Sequence, residues 1–182
     1  MESLFTIMCT MNATPKVAKW GEPPPMDTGA PMPAVYSDET GLTCAYVIGA
    51  THSESASTAI LHFEGVLYYA MGYPNDEALS AHPLYANGLG FYGFHVVENS
   101  PIIADLDRRN QVHKRHVAGA YMKRFRHWII TFHHETLEVV ATNAGSCAPA
   151  RRNPDSRFWS TLSRYLRRIV GETSRLHSFT LK

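Results

Sequence analysis

Residues 126–142 read Arg-His-Trp-Ile-Ile-Thr-Phe-His-His-Glu-Thr-Leu-Glu-Val-Val-Ala-Thr, two apolar and β-branched runs parted by a short polar stretch. No other feature narrows the choice of fold so much, because runs this close in sequence satisfy their backbone groups most simply by folding back as a hairpin. Taking His134 and Glu135 as the loop sets Phe132 opposite Leu137, Ile130 opposite Val139 and Trp128 opposite Ala141, a continuous apolar face. The opposite face is mixed: His133 beside Thr136, Thr131 beside Glu138, and Ile129 beside Val140.

A second hairpin is predicted from 59–63 and 66–71 around Glu64-Gly65. It would set Phe63 against Val66, His62 against Leu67, Leu61 against Tyr68 and Ile60 against Tyr69. Both of its faces are mostly apolar, so it reads as a central hairpin with His62 inside. Further strands are predicted over 43–49 and 90–98, with a Ser-rich loop over 51–58. In the 90–98 strand, Tyr92, Phe94 and Val96 share one face, and Phe91, His95 and Val97 the other.

Ser100-Pro101 supplies an N-cap followed by proline at the first helical position, which predicts a helix over 101–112. Ile102, Ile103, Leu106 and His113 form its inner stripe, and Asp105 and Arg109 are spaced to pair outside. A second helix is predicted over 118–125. After a linker at 144–154, Asp155 or Ser156 can cap a third, in which Phe158, Trp159, Leu162, Tyr165, Leu166, Ile169 and Val170 recur at helical spacing among arginines until Gly171. The hairpins join neighbours in sequence and no strand–helix–strand alternation repeats. The expected fold is therefore α+β: a curved, barrel-like antiparallel sheet with two or three packed helices.

Six of the eleven prolines fall in residues 1–41. Proline fixes φ and removes a donor, so regular structure is not expected there. The expected organisation is a proline-rich arm (1–41), a core α+β domain (42–143), and a linker with an arginine-rich helix packed on the core (144–182). The arm's methionines, with Phe5 and Trp20, suit an extended cover across the body; a frayed terminus is the alternative.

At 182 residues with 45% hydrophobic and 18% charged positions, the chain has the makings of a packed domain rather than a disordered one. No apolar run reaches the ~20 residues that span a bilayer. The first residues carry an acid and a short, broken apolar stretch, unlike an export signal. Cys9, Cys44 and Cys147 form no Cys-x-x-Cys pair and suggest neither a disulfide framework nor a thiolate zinc site. A soluble, cytoplasmic protein is expected, with no membrane partner. Net charge is +1, but residues 151–182 hold 8 basic against 2 acidic residues, so the charge lies in the tail.

The stretch from Gly72 to Asn99 gathers groups with acid–base capacity between two strands. Asp76 or Glu77 with His82, near Tyr85, offers a base, an acid and an orienting hydroxyl within one loop. A ligand could sit between that loop and Tyr68, Tyr69 or Tyr92. Asn75 and Asp76 after Pro74 are equally ordinary turn and capping residues. His133, Thr131 and Glu138 share a face in the proposed register, where a diagonal His–Glu pair would raise the imidazole pKa and orient the ring. Three of the ten histidines, His62, His95 and His133, could converge on a metal in a small barrel. No His-x-His or His-Glu-x-x-His spacing supports this, and no metal site is assigned. Gly88-Leu-Gly90-Phe-Tyr-Gly93 matches a dinucleotide spacing but leads into a strand rather than opening a helix.

The stretches Tyr73-Pro-Asn-Asp-Glu-Ala-Leu79 and His82-Pro-Leu-Tyr85, with Gly93-Phe94, Glu98, Ser100, Ile103, Phe132-His133 and Thr136, resemble a family of uncharacterised bacterial proteins. The resemblance covers roughly 44–142 and implies that this part is the shared domain. It implies no activity.

The leading expectation is a small-molecule-binding domain, an enzyme using acid–base chemistry on a small organic substrate. Its catalytic candidates are Asp76, Glu77, His82, His133 and Glu138, and its ligand contacts Tyr68, Tyr69, Tyr85, Tyr92 and His95. No cofactor is specified, and self-association is left open. The competing expectation is a non-catalytic interaction module that uses the basic C-terminal helix or the proline-rich arm to bind a protein or nucleic acid. Nucleic acid is disfavoured, because the helix's apolar residues fit packing against a net-negative body.

Overall fold

The computed structural model describes residues 13–21, 23–48 and 58–147, all within one compact unit. Two open antiparallel sheets make up its frame. The first runs β1 (Lys16–Lys19), β6 (Gly93–Glu98), β7 (Arg126–Thr131), β8 (Thr136–Ala141) and β5 (Tyr68–Gly72), in that spatial order. The second runs β2 (Ala34–Asp38), β3 (Gly41–Val47), β4 (Thr58–Glu64) and β9 (Asn143–Cys147). With helices α1 (Pro101–Arg109) and α2 (Ala120–Arg124) added, the fold is α+β as expected. The strands form two open sheets in place of a single barrel-like one. No helix among the described residues is long and apolar enough to cross a membrane.

The proline-rich region departs from expectation, since β1 and β2 both lie in it. Pro15 and Pro33 stand just before the two strands, whose interiors, Lys-Val-Ala-Lys and Ala-Val-Tyr-Ser-Asp, hold no proline. Both are also edge strands, where a missing donor matters least. The Trp20 N–H donates to the Phe94 carbonyl at 2.8 Å and carries its indole into the core.

The expected hairpin around Glu64-Gly65 does not form. β4 pairs with β3 and β9, whereas β5 pairs with β8 in the other sheet. The chain crosses between sheets here: the Thr142 N–H donates to Glu64 O at 3.0 Å, and the Leu67 N–H to Val140 O at 2.8 Å. Gly65 permits the crossing with φ of 59°, and a Cβ there would stand 2.5 Å from Thr142 Oγ1. Gly65→Ala should therefore cost about 1–3 kcal/mol in urea unfolding. A neutral result would show that the crossing can relax. His62, on the outward face of β4, is half-buried rather than interior, with Nδ1 3.1 Å from Thr43 Oγ1.

The core lies between the sheets. Leu42, Cys44, Tyr46, Leu61 and Phe63 of the second sheet meet Phe94, Trp128, Ile130, Leu137 and Val139 of the first. Burial pushes the Cys44 thiol up to about 12, so it serves as a small apolar side chain.

The outer face of the five-stranded sheet carries two covers. Leu79, Leu84 and Leu89, from the segment after β5, bury themselves on Val17, Val97 and Ile129. Beside them α1 and α2 pack Ile103, Phe125 and Tyr121 onto Val140 and Tyr68. The α1 start is as predicted: Ser100 Oγ accepts from the Ile103 N–H, and Pro101 opens the helix. Its Asp105–Arg109 ion pair also forms.

Candidate functional site

Where those two covers leave the sheet exposed there is a cleft of about 410 Å³. Tyr68 and Glu138 belong to the sheet beneath it, His82, Pro83 and Leu84 to one wall, and Pro101, Ile102, Asp105, Leu106 and Arg109 of α1 to the other. The Leu79 and Leu84 anchors bring His82 down onto the sheet, and the Ser100 cap sets where α1 begins.

Glu138 is the polar centre of this cleft. Its Oε1 lies 3.4 Å from His82 Nε2, and its Oε2 lies 3.0 Å from His127 Nε2, a close contact off the line of a well-formed hydrogen bond. Behind it, His127 Nδ1 is 2.9 Å from Ser100 Oγ. Burial alone would raise the Glu138 carboxyl, but the His127 and His82 interactions outweigh it and hold the group at about 2. Glu138 is therefore an anion throughout the ordinary pH range.

His82 Nδ1 accepts from the Leu84 N–H at 3.1 Å, so its remaining ring proton sits on Nε2, facing Glu138. Ser100, His127, Glu138 and His82 thus form one chain of contacts from the helix cap to the cleft. Ser100 is buried and engaged with the helix, and cannot serve as an exposed nucleophile.

A second group assembles at the other end of the same segment. Tyr92 Oη donates to Asp76 Oδ2 and lies 2.9 Å from His133 Nδ1, which is itself 2.9 Å from Asp76 Oδ2. The Tyr92 and His133 rings stack with centroids 6.0 Å apart. The Tyr92 hydroxyl holds the Asp76 carboxyl below its ordinary value, and the same bond raises the phenol. Tyr92 has a left-handed backbone, φ 48°, a conformation costly for an aromatic residue.

The sequence-predicted residues thus separate into two groups. Tyr68, His82 and Glu138 meet in the cleft, and Asp76, Tyr92 and His133 meet in the second group. The expected Asp76–His82 pairing is replaced, since Asp76 bonds Tyr92 and His133 while His82 bonds Glu138. Glu77 is exposed, and its N–H donates to Asp76. Tyr69 opposes Val139 on the other face of β5 from Tyr68. Tyr85 packs edge-on against Phe91 with centroids 6.1 Å apart. His95 lies buried under Gly90, whose N–H it accepts at 3.2 Å, and burial holds its ring below the usual imidazole value. It is a buried histidine that does not line the cleft.

The proposed metal trio is not brought together. His62 bonds Thr43, His95 bonds Gly90 and His133 bonds Tyr92. No group of three His, Cys, Asp or Glu side chains able to hold a metal occurs among the described residues.

His127 and Ser100 are the functional neighbours that sequence reasoning missed, and the reason is register. Thr131 pairs with Thr136 and Ile129 with Glu138, two residues from the expected alignment, so His127 is the histidine diagonal to Glu138 instead of His133. The arginine-rich helix expected within 156–170 lies outside the described residues.

Fold and site together define the class: a two-sheet α+β domain with a largely apolar cleft floored by a carboxylate and flanked by an imidazole. No family model matches the chain, and neither a curated protein nor a solved structure gives a significant match to it.

Proposed function

We propose that this chain is a small-molecule-binding domain whose ligand occupies the cleft between His82–Leu84 and α1 and is held by acid–base side chains at its floor. The observation that carries the reading is the convergence of His82 and Glu138 at the base of a concave site with walls of Pro83, Leu84, Pro101, Ile102 and Leu106. Apolar walls with a few fixed polar groups are the usual make-up of a site for a small organic molecule.

In such a site Glu138, ionised at neutral pH, accepts hydrogen bonds from the ligand, and His82 keeps it oriented. Protein-observed NMR of the full chain against a library of small organic molecules should move the amide signals of Leu84, Ile102 and Leu106 together. His82→Ala should weaken the binders found by about tenfold, the order expected for removing a buried polar partner. A library that moves none of those three signals would count against the cleft.

The Asp76 group favours a second reading, in which this same segment performs general acid–base catalysis. Asp76 Oδ2 beside His133 Nδ1 suits a ring that keeps its proton on Nδ1 and presents Nε2 as a base. Library shifts centred on Asp76, Tyr92 and His133 would favour this group over the cleft.

A further inference from the structure

We propose that the cleft takes an organic cation, a protonated amine or related nitrogen base with an apolar body, and that Glu138 is its counter-charge. This inference rests on the reading of the cleft as a ligand site and assigns the chemical class of its occupant.

Glu138 is the charge that a ligand meets at the floor of the cleft. Its side chain is 21% exposed, so it is sheltered yet open to the cleft. Its nearest partners are His82 and His127. His82 accepts the Leu84 N–H on Nδ1 and therefore meets Glu138 through its Nε2–H. Ser100 Oγ already accepts the Ile103 N–H, and its own hydroxyl proton can go to His127 Nδ1, which leaves His127 facing Glu138 with Nε2–H. In this arrangement His82 donates to the carboxylate and His127 lies in close contact with it, both through ring N–H groups. Among the described residues no lysine or arginine pairs with Glu138 on the side that faces the cleft.

The other charged groups along the cleft are Asp105 and Arg109, which pair with each other, and Arg108 also reaches Asp105. The Arg109 side chain is 74% exposed, so its field is screened by solvent, whereas Glu138 lies in the sheltered floor. A ligand that reaches the floor therefore meets a negative charge where the effective dielectric is lowest. Charge-assisted hydrogen bonds from an ammonium would be roughly twice as strong as neutral ones there. Tyr68 adds an aromatic surface, which favours a cation, and the prolines and leucines cover the ligand's hydrocarbon.

The test compares three probes with the same ring and similar length: 2-phenylethylammonium, 2-phenylethanol and 3-phenylpropanoate. Each is titrated into the full-length protein near neutral pH while the Leu84, Ile102 and Leu106 amides are followed. The ammonium should bind about tenfold more tightly than the alcohol, with the carboxylate weakest, as expected when one charge-assisted contact separates the probes. Glu138→Gln should remove the preference for the ammonium. The order of the three probes on the unaltered protein decides the matter even if that variant does not fold. Equal or tighter binding of the alcohol or carboxylate overturns the cation assignment and leaves the cleft as a site, with Arg109 then the group to examine. No movement of the three amides with any probe overturns both.

Discussion

Trp128→Ala should cost about 3–5 kcal/mol of folding stability, the range for truncating a large buried aromatic side chain. Trp128 comes from the central strand β7 and meets both sheets. Its ring centroid is 5.6 Å from Phe63 of the second sheet and 6.1 Å from Trp20, which joins the core just after β1. Few neighbouring side chains can collapse into the space, because the partners that would have to move are themselves held in strands. A domain with a total stability of roughly 5–15 kcal/mol would lose much of it. Urea unfolding followed by tryptophan fluorescence and far-UV circular dichroism measures the loss. A loss under about 1 kcal/mol would mean that the sheets do not share a core at this residue.

The second large effect concerns pH. The Glu138 carboxyl is held at about 2 in the folded protein against an ordinary value of 4.5. A depressed carboxyl stabilises the fold above its unfolded value and loses that contribution as pH falls toward the folded one. The window is thus from about 4.5 down to about 2. Across it the wild-type chain should lose on the order of 3 kcal/mol that a Glu138→Gln chain does not. Urea midpoints for both proteins at several pH values through that window supply the comparison. Parallel acid profiles would show that the folded protein does not favour the ionised form of Glu138. The glutamine variant should also be less stable at neutral pH, because its amide cannot reproduce the contacts of a carboxylate with the His82 and His127 rings.

How far the sequence could be read depended on the range of the interaction involved. The cap at Ser100, the proline after it and the Asp105–Arg109 pair are set by neighbours within a few residues, and all three form as expected. The apolar face of Trp128, Ile130, Leu137 and Val139 was also legible, since period-two alternation survives an error of two residues in register. The register itself was not. Phe132 ends up buried, with its N–H on Glu135 O at 2.9 Å, so the turn between β7 and β8 is centred on His133 and His134, one residue earlier than assumed. That slip kept every side chain on its proper face but moved the partner of Glu138 from His133 to His127.

By itself the sequence determined the α+β class, most of the strands from 43 onward, the helix at 101 and the segment that holds His82 and Asp76, because propensity, capping and alternation act locally. Only the tertiary structure decided that β4 and β5 belong to different sheets, that β1 and β2 of the proline-rich region complete those sheets, and that Asp76 and His82 serve separate groups. Each of those outcomes turns on which distant strand satisfies a given backbone edge. Short apolar strands offer many near-equivalent edges, and the choice among them is made by burial of Trp20, Phe63, Leu84 and Trp128 in one packed arrangement.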